Sequence, residues 1–267
     1  MIIVNLVLFM GQSNIAGRGV AEDAPTVAEG HGFEFRAVTD PTKLYPVTEP
    51  FGVNENREDG ITEETKTGSL VSAFINEYYF ITQVPIVAVS ASKGGSSIDE
   101  WQPGTAYLDD AIGRLHTTKE WLELNGYETR HVFMVWCQGE TDALMPKDSY
   151  VPKLTNMIEE MMEHGVERCY MIRIGNKEGT DLYKAMIQMQ TEFCKTYPHA
   201  TLVSTLYAGM TSDKLNLMKE DGIHYTQEGY NHVGVEAGRN VAFHVNNRKE
   251  PYLYDPEYEG LYFSYKS

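Results

Sequence analysis

Five short segments rich in Val, Ile and aromatic residues alternate with five segments of helical period, and this alternation constrains the fold more than any other feature. The apolar segments are Ile2–Met10, Val84–Ser90, His131–Cys137, Arg168–Ile174 and Thr201–Leu206. Such short β-branched and aromatic runs read as strands. Between them, Gly68–Phe80 sets Leu70, Val71, Phe74, Ile75 and Tyr78 on one stripe, and Tyr107–Leu124 does the same with Leu108, Ile112, Leu115 and Leu122. Ser149–His164, Asp181–Tyr197 and Thr226–Val245 continue the period. A parallel strand pair needs a crossover of about this length, so the pattern implies βαβ units. The expected fold class is α/β, with a five-stranded parallel sheet covered by helices on both faces.

No Pro/Gly/Ser-rich linker or internal repeat divides the 267 residues, so residues 1–267 read as a single domain. Two stretches stand outside the alternation. Residues from about 15 to 66 form a long irregular loop, with hairpin-like pieces at Gly32–Val38 and Lys43–Val47; long loops of this kind are usually functional. The extension at about 251–267 carries Tyr252, Tyr254, Tyr258, Tyr262, Phe263 and Tyr265. It is too aromatic for a disordered tail and is expected to pack on the body or on a partner.

Charge and cysteine usage exclude several classes. With 22 Lys+Arg against 38 Asp+Glu, the formal net charge is −16, and the cations are scattered singly. Such a field repels phosphate backbones, so no nucleic-acid partner is expected. The apolar run Ile2–Met10 is too short to span a bilayer, and it lacks the basic flank and small-residue cleavage site of a secretory leader. It is read as a strand, with no membrane partner. Cys137, Cys169 and Cys194 are an odd, widely spaced set, which fits a reducing compartment better than a disulfide framework. A cytoplasmic location is the expectation.

In an open parallel sheet, ligands bind beyond the carboxyl ends of the strands. The first strand is followed by Gly11-Gln12-Ser13-Asn14, the second by Ser92-Lys93-Gly94-Gly95-Ser96, and the third by Gln138-Gly139-Glu140-Thr141-Asp142. Asp221-Gly222-Ile223-His224 precedes the last helix. Alone, Ser13 reads as a helix cap and Gly94-Gly95 as a turn. Together at one rim they supply the parts of an acyl-transfer site. Ser13 is the candidate nucleophile, His224 the base and Asp221 the orienting acid, because an i, i+3 spacing lets an acid and an imidazole meet on one turn. Glu140 on the same rim is a supporting or alternative acid. A backbone N–H of Gly94 or Gly95 and the side-chain amide of Gln138 are candidate oxyanion donors. Gln12, Asn14 and Trp101 are the candidate substrate contacts, Trp101 as an aromatic pocket wall.

These residues resemble a known family. Gly11-Gln12-Ser13-Asn14 with Ala16-Gly17-Arg18-Gly19 is similar to the nucleophile block of carbohydrate esterase family six and the related sialic-acid-specific acetylesterase domains, within the SGNH (GDSL-like) hydrolases. Gly94-Gly95-Ser96-Ser97-Ile98 with Glu100-Trp101-Gln102-Pro103-Gly104 resembles the second block. Trp136-Cys137-Gln138-Gly139-Glu140-Thr141-Asp142-Ala143 resembles the third, and Asp221-Gly222-Ile223-His224-Tyr225 the last. The blocks occur in the family's order from residue 11 to 225. The resemblance implies a flavodoxin-like three-layer α/β/α fold and removal of acetyl groups from sugar hydroxyls. It also implies Ser13 as nucleophile, His224 as base, and an oxyanion hole of Ser13 N–H, a block-two glycine and Gln138. Gln138 stands where the wider SGNH group has Asn, and Ser96 where the branch commonly has Thr.

Rival readings of the same residues are weaker. Ser90-Ala91-Ser92-Lys93 spells a Ser–Lys signature, but Ser90 ends a strand and no partner motif accompanies it. Cys137 sits in an apolar segment and reads as a core thiol. The histidines show no ligand spacing, so no metal and no cofactor are expected. A non-catalytic sugar-binding protein or an SGNH esterase for other acyl esters are the alternatives. The expected partner is an acetylated carbohydrate substrate.

Overall fold

The computed structural model describes residues 2–262 and 264. β1 (Ile2–Gly11), β2 (Gly32–Arg36), β3 (Asp40–Pro46), β4 (Ile86–Ser92), β5 (Tyr127–Cys137), β6 (Cys169–Ile172) and β7 (Ala200–Ser204) form one sheet in the order β3-β2-β4-β1-β5-β6-β7. Among the described residues, six α-helices accompany it: α1 (Ser13–Ala16), α2 (Val71–Thr82), α3 (Ala106–Leu124), α4 (Lys147–Glu163), α5 (Lys184–Thr196) and α6 (Gln227–Asn247). Strand pleating divides the central strand between two cores. Val4, Leu6, Leu8 and Met10 of β1 join the layer packed by α3, α4 and α5. Val7 and Phe9 join the layer packed by α2 and α6. The result is a three-layer α/β/α arrangement.

The five predicted strands are the parallel core β4-β1-β5-β6-β7, with β5 beginning at Tyr127 rather than His131. The sheet nevertheless has seven strands, which corrects the expected five. β2 runs parallel to β4, pairing Gly32 with Ile86, Phe33 with Val87 and Glu34 with Ala88. β3 runs antiparallel to β2. The hairpin inside the irregular loop therefore covers what would be the open edge of β4. Its outer strand, β3, contains Pro41 and Pro46 and is largely solvent-facing. An edge strand tolerates that composition, and it obscures the two-residue period.

One polar residue interrupts β1. The side chain of Asn5 donates to the Tyr78 hydroxyl at 2.6 Å and accepts from His131 N–H at 3.1 Å, at a register shift between β1 and β5. The polar insertion is thus satisfied where the ladder is irregular.

The C-terminal extension packs on the body. β8 (Leu253–Asp255) and β9 (Gly260–Tyr262) form a hairpin at the carboxyl ends of β6 and β7. There Arg173 grips the Asp255 carboxylate through both terminal nitrogens, and Thr205 Oγ donates to Tyr254 O at 2.9 Å. Phe263 and Tyr265 of the aromatic extension lie outside the described residues. Among the described residues, no helix is long and apolar enough to cross a membrane.

β1 lies between β4 and β5, so the crossovers leave it in opposite directions. The carboxyl end of β1 is therefore the switch point of the sheet, where open α/β folds bind their ligands. The segment that follows β1 is Gln12-Ser13-Asn14.

Candidate active site

The site begins with a turn that only glycine allows. Gly11 ends β1 at φ 124°, and a Cβ there would lie 2.1 Å from the carbonyl oxygen of Cys137. This close approach lets Gln12 N–H donate to Cys137 O at 2.9 Å, and the chain turns at once into α1, which Ser13 opens. Ser13 is largely buried, yet its Oγ lies 2.9 Å from His224 Nε2. His224 Nδ1 lies 2.9 Å from Asp221 Oδ2. Nδ1 faces a carboxylate and so carries the ring hydrogen, which leaves Nε2 to accept the Ser13 O–H. The other Asp221 oxygen accepts the N–H groups of Ile223 and His224, each at 2.9 Å. Partial burial works to raise the Asp221 pKa. The donated hydrogens from the His224 backbone, the imidazole and Ile223 outweigh it and hold the carboxyl at about 2.

Between the two predicted acids, the geometry selects Asp221. Glu140 is buried, and its Oε1 accepts from Asn14 Nδ2 at 2.7 Å. Burial raises its pKa, against the lowering effect of the Asn14 hydrogen bond. Among the described residues its other oxygen meets no hydrogen-bond partner, and its contact is with Asn14 rather than His224.

Two predicted oxyanion donors are otherwise engaged. Gln138 is fully buried, and its amide nitrogen donates to Ser96 O at 3.0 Å and to Asp142 Oδ2 at 2.6 Å. Both neighbours are acceptors only, so they spend both amide hydrogens, and Gln138 offers none to a reacting oxygen. The amide oxygen accepts from Tyr150. The N–H of Gly94 donates to the Glu63 carboxylate. The N–H groups of Ser13 and Gly95 meet no acceptor among the described residues. Gly95 is exposed, and open space surrounds its α-carbon. Lys93 N–H donates to Gly11 O at 2.9 Å, which ties this loop to the turn carrying Ser13.

The three predicted substrate contacts are all buried. Trp101 is fully buried; its indole N–H donates to Ser96 Oγ at 2.9 Å, and its ring meets Trp136 edge-on at 5.5 Å. It supports the second block from beneath and cannot stack on a sugar. Gln12 is 3% exposed, and its amide oxygen accepts from Gly139 and Thr141 N–H at 3.2 and 3.4 Å. Asn14 is fully buried, donating to Glu140 and to Ile223 O and accepting from Tyr230. Gln12 and Asn14 thus tie the nucleophile turn to the third block and the acid–base turn.

Sequence reasoning assigned no role to Asp142 or Glu63. Asp142 accepts from Ser97 Oγ, Ile98 N–H and Gln138, each at 2.6 Å, and so joins the second and third blocks. It belongs to the third block, and that place is the one signal for it in the sequence. Glu63 lies in the irregular loop, where no local pattern marks it. The rival nucleophiles fall away. Ser90 is buried and accepts from Lys66 Nζ at 2.6 Å rather than from Lys93, while burial lowers Lys66 to about 8. Burial raises the Cys137 thiol well above its ordinary value, so it stays protonated. Among the described residues, no group of three or more His, Cys, Asp or Glu could hold a metal ion.

The comparisons make the chain a carboxylic ester hydrolase. The profile of the carbohydrate esterase, sialic acid-specific acetylesterase family matches residues 3–242, and the chain belongs to that family. A protein of Arabidopsis thaliana has a similar fold, with TM-score 0.69 at 20% identity, covering 91% of this chain and 99% of that one. A carbohydrate acetylesterase from Xanthomonas citri aligns with TM-score 0.56 at 16% identity, over 92% of this chain and 57% of that one. A lipase from a goat rumen metagenome aligns with TM-score 0.52 at 12% identity, covering 90% and 97% of the two chains. No curated protein matches.

Proposed function

We propose that the protein is a serine-dependent O-acetylesterase that removes acetyl groups from sugar hydroxyls through an acyl-enzyme. The observation that carries this reading is the continuous chain from Asp221 through His224 to Ser13, with both links at 2.9 Å. In the first half-reaction Ser13 Oγ attacks the acetyl carbonyl, and its proton passes to His224 Nε2. Asp221 holds the ring orientation and stabilises the imidazolium. The carbonyl oxygen gains charge against the N–H groups of Ser13 and Gly95. Collapse of the intermediate breaks the ester bond, and the sugar hydroxyl leaves with the proton from His224. Water then repeats the sequence on the acetyl-serine and releases acetate.

Membership of an acetylesterase family supports an acetyl donor and a carbohydrate leaving group. Acetylated xylan and acetylated sialic acid are both candidate substrates. The test is acetate release from a panel of acetylated xylo-oligosaccharides and acetylated sialic acids by wild type and Ser13→Ala. Release from one class by wild type alone is the expected result. Undiminished hydrolysis of an aryl acetate by Ser13→Ala would sink the mechanism.

A further inference from the structure

The long loop between α1 and α2 contributes one carboxylate to the machinery beside the nucleophile. Glu63 is 3% exposed although it belongs to a loop without regular structure. One of its oxygens accepts the N–H of Gly94. The other accepts Thr65 N–H at 3.0 Å and lies 3.2 Å from Arg18 Nη2. Arg18 belongs to the nucleophile block, and Asn56 Oδ1 holds the backbone N–H of Glu63 at 2.8 Å. Gly94 is crowded by this pair: a Cβ there would lie 2.4 Å from Arg18 Nη2 and 2.5 Å from Glu63 Oε2. A side chain at 94 would therefore have to displace the carboxylate and guanidinium packed on it. The next residue, Gly95, sits at φ 70° with its N–H unclaimed among the described residues.

We infer that Glu63 is a positioning residue for the oxyanion hole: with Arg18 it fixes the peptide at Gly94 and thereby aims the N–H of Gly95 at the developing oxyanion. This inference rests on the proposed serine esterase mechanism. Successive peptides share an α-carbon, so anchoring one N–H removes a rotation that would otherwise swing the next. A preorganised donor contributes most when it need not reorient during the reaction. Fixing the loop in advance therefore lowers the barrier without tightening ground-state binding, and the effect falls on kcat rather than KM. The Glu63 carboxylate stays ionised throughout the working range. Burial opposes this, but Thr65, Arg18 and Gly94 hold the group at about 2.

The test uses 4-nitrophenyl acetate, a small ester with no sugar to bind. Glu63→Ala is expected to lose at least tenfold in kcat with KM within threefold of wild type. Glu63→Gln keeps an acceptor oxygen for Gly94 and is expected to retain activity within about fivefold. A role limited to the Arg18 ion pair would make the two variants alike. Gly94→Ala, which displaces the pair, should match the loss in Glu63→Ala, and the double variant should lose no more than either single one. Circular dichroism reports folding. If Glu63→Ala does not fold, the contrast between Glu63→Gln and Gly94→Ala decides the matter. Glu63→Ala or Gly94→Ala within twofold of wild-type kcat, or equal losses in Glu63→Gln and Glu63→Ala, would overturn the inference. Wild type and Ser13→Ala run alongside separate the two levels. An inactive wild type refutes the proposed mechanism, whereas an active one with an indifferent Glu63 refutes only the positioning role.

Discussion

Replacing Asp221 by Asn separates the two carboxylates that the sequence leaves in competition. In the structure one Asp221 oxygen accepts two backbone N–H groups, and the other faces His224 Nδ1 at 2.9 Å. An Asn carbonyl can keep the two backbone bonds, which directs its NH₂ group at Nδ1. Nδ1 must then accept, the ring hydrogen moves to Nε2, and Nε2 can no longer take the proton of Ser13. Forcing the wrong tautomer in a buried triad lowers kcat by about 10⁴. The Asp221 side chain is 44% exposed, so water can compete for the amide and the correct tautomer persists in part. The expected loss is therefore about 10²–10³ in kcat, or ~2.7–4 kcal/mol. Glu140 cannot compensate, because it is committed to Asn14 and its buried carboxyl has a raised pKa. The assay is steady-state hydrolysis of 4-nitrophenyl acetate by wild type, Asp221→Asn and Glu140→Gln, with folding checked by circular dichroism. Asp221→Asn within threefold of wild type would refute the reasoning. Loss in Glu140→Gln with Asp221→Asn spared would assign the acid to Glu140. A pH series adds a second check. The depressed Asp221 pKa favours the folded state above the ordinary value of 3.8, and that contribution is lost as pH falls towards about 2. Any acid limb of the activity profile above pH 4 must then come from a group other than Asp221.

Further outcomes follow from a buried ion pair and a partly buried carboxyl. Asp255→Asn leaves the fully buried Arg173 without its counter-ion, which costs about 3–5 kcal/mol and should appear as a lower urea midpoint; an unchanged midpoint would show that the hairpin is not anchored by this pair. Glu236 is raised from 4.5 to about 7, chiefly by burial, against donors from Ser204 and Thr205. The raised pKa means that the folded state holds this proton more tightly. Its penalty is absent below pH 4.5 and grows to about 3 kcal/mol as pH rises past 7. Glu236→Gln should therefore raise the melting temperature more at pH 8 than at pH 5. An equal shift at both values would contradict the raised carboxyl pKa.

Much of this was legible because it is local. Val, Ile and aromatic runs marked the five parallel strands, since a strand buried on both faces must be apolar along its length. Asp221 and His224 share one turn, so their spacing announced their contact. The strands of the outer hairpin were less visible, because β3 is an edge element with two prolines and a solvent-facing surface. The setting of Trp101, Gln12 and Asn14 was hidden for a related reason. Their chemistry suits a sugar, but exposure depends on what packs above them, and each is buried.

By itself the sequence determined the parallel α/β sheet, the rim where chemistry gathers, and the identity of Ser13, His224 and Asp221 as acyl-transfer candidates. Periodicity and short spacings carry that information along the chain. Tertiary structure alone decided that Asp221 rather than Glu140 faces His224. It also committed Gln138 to Ser96 and Asp142, and set Glu63 on Gly94 from 31 residues away. A hydrogen donated to one acceptor is withheld from another, and only the folded arrangement of distant segments settles which acceptor it meets.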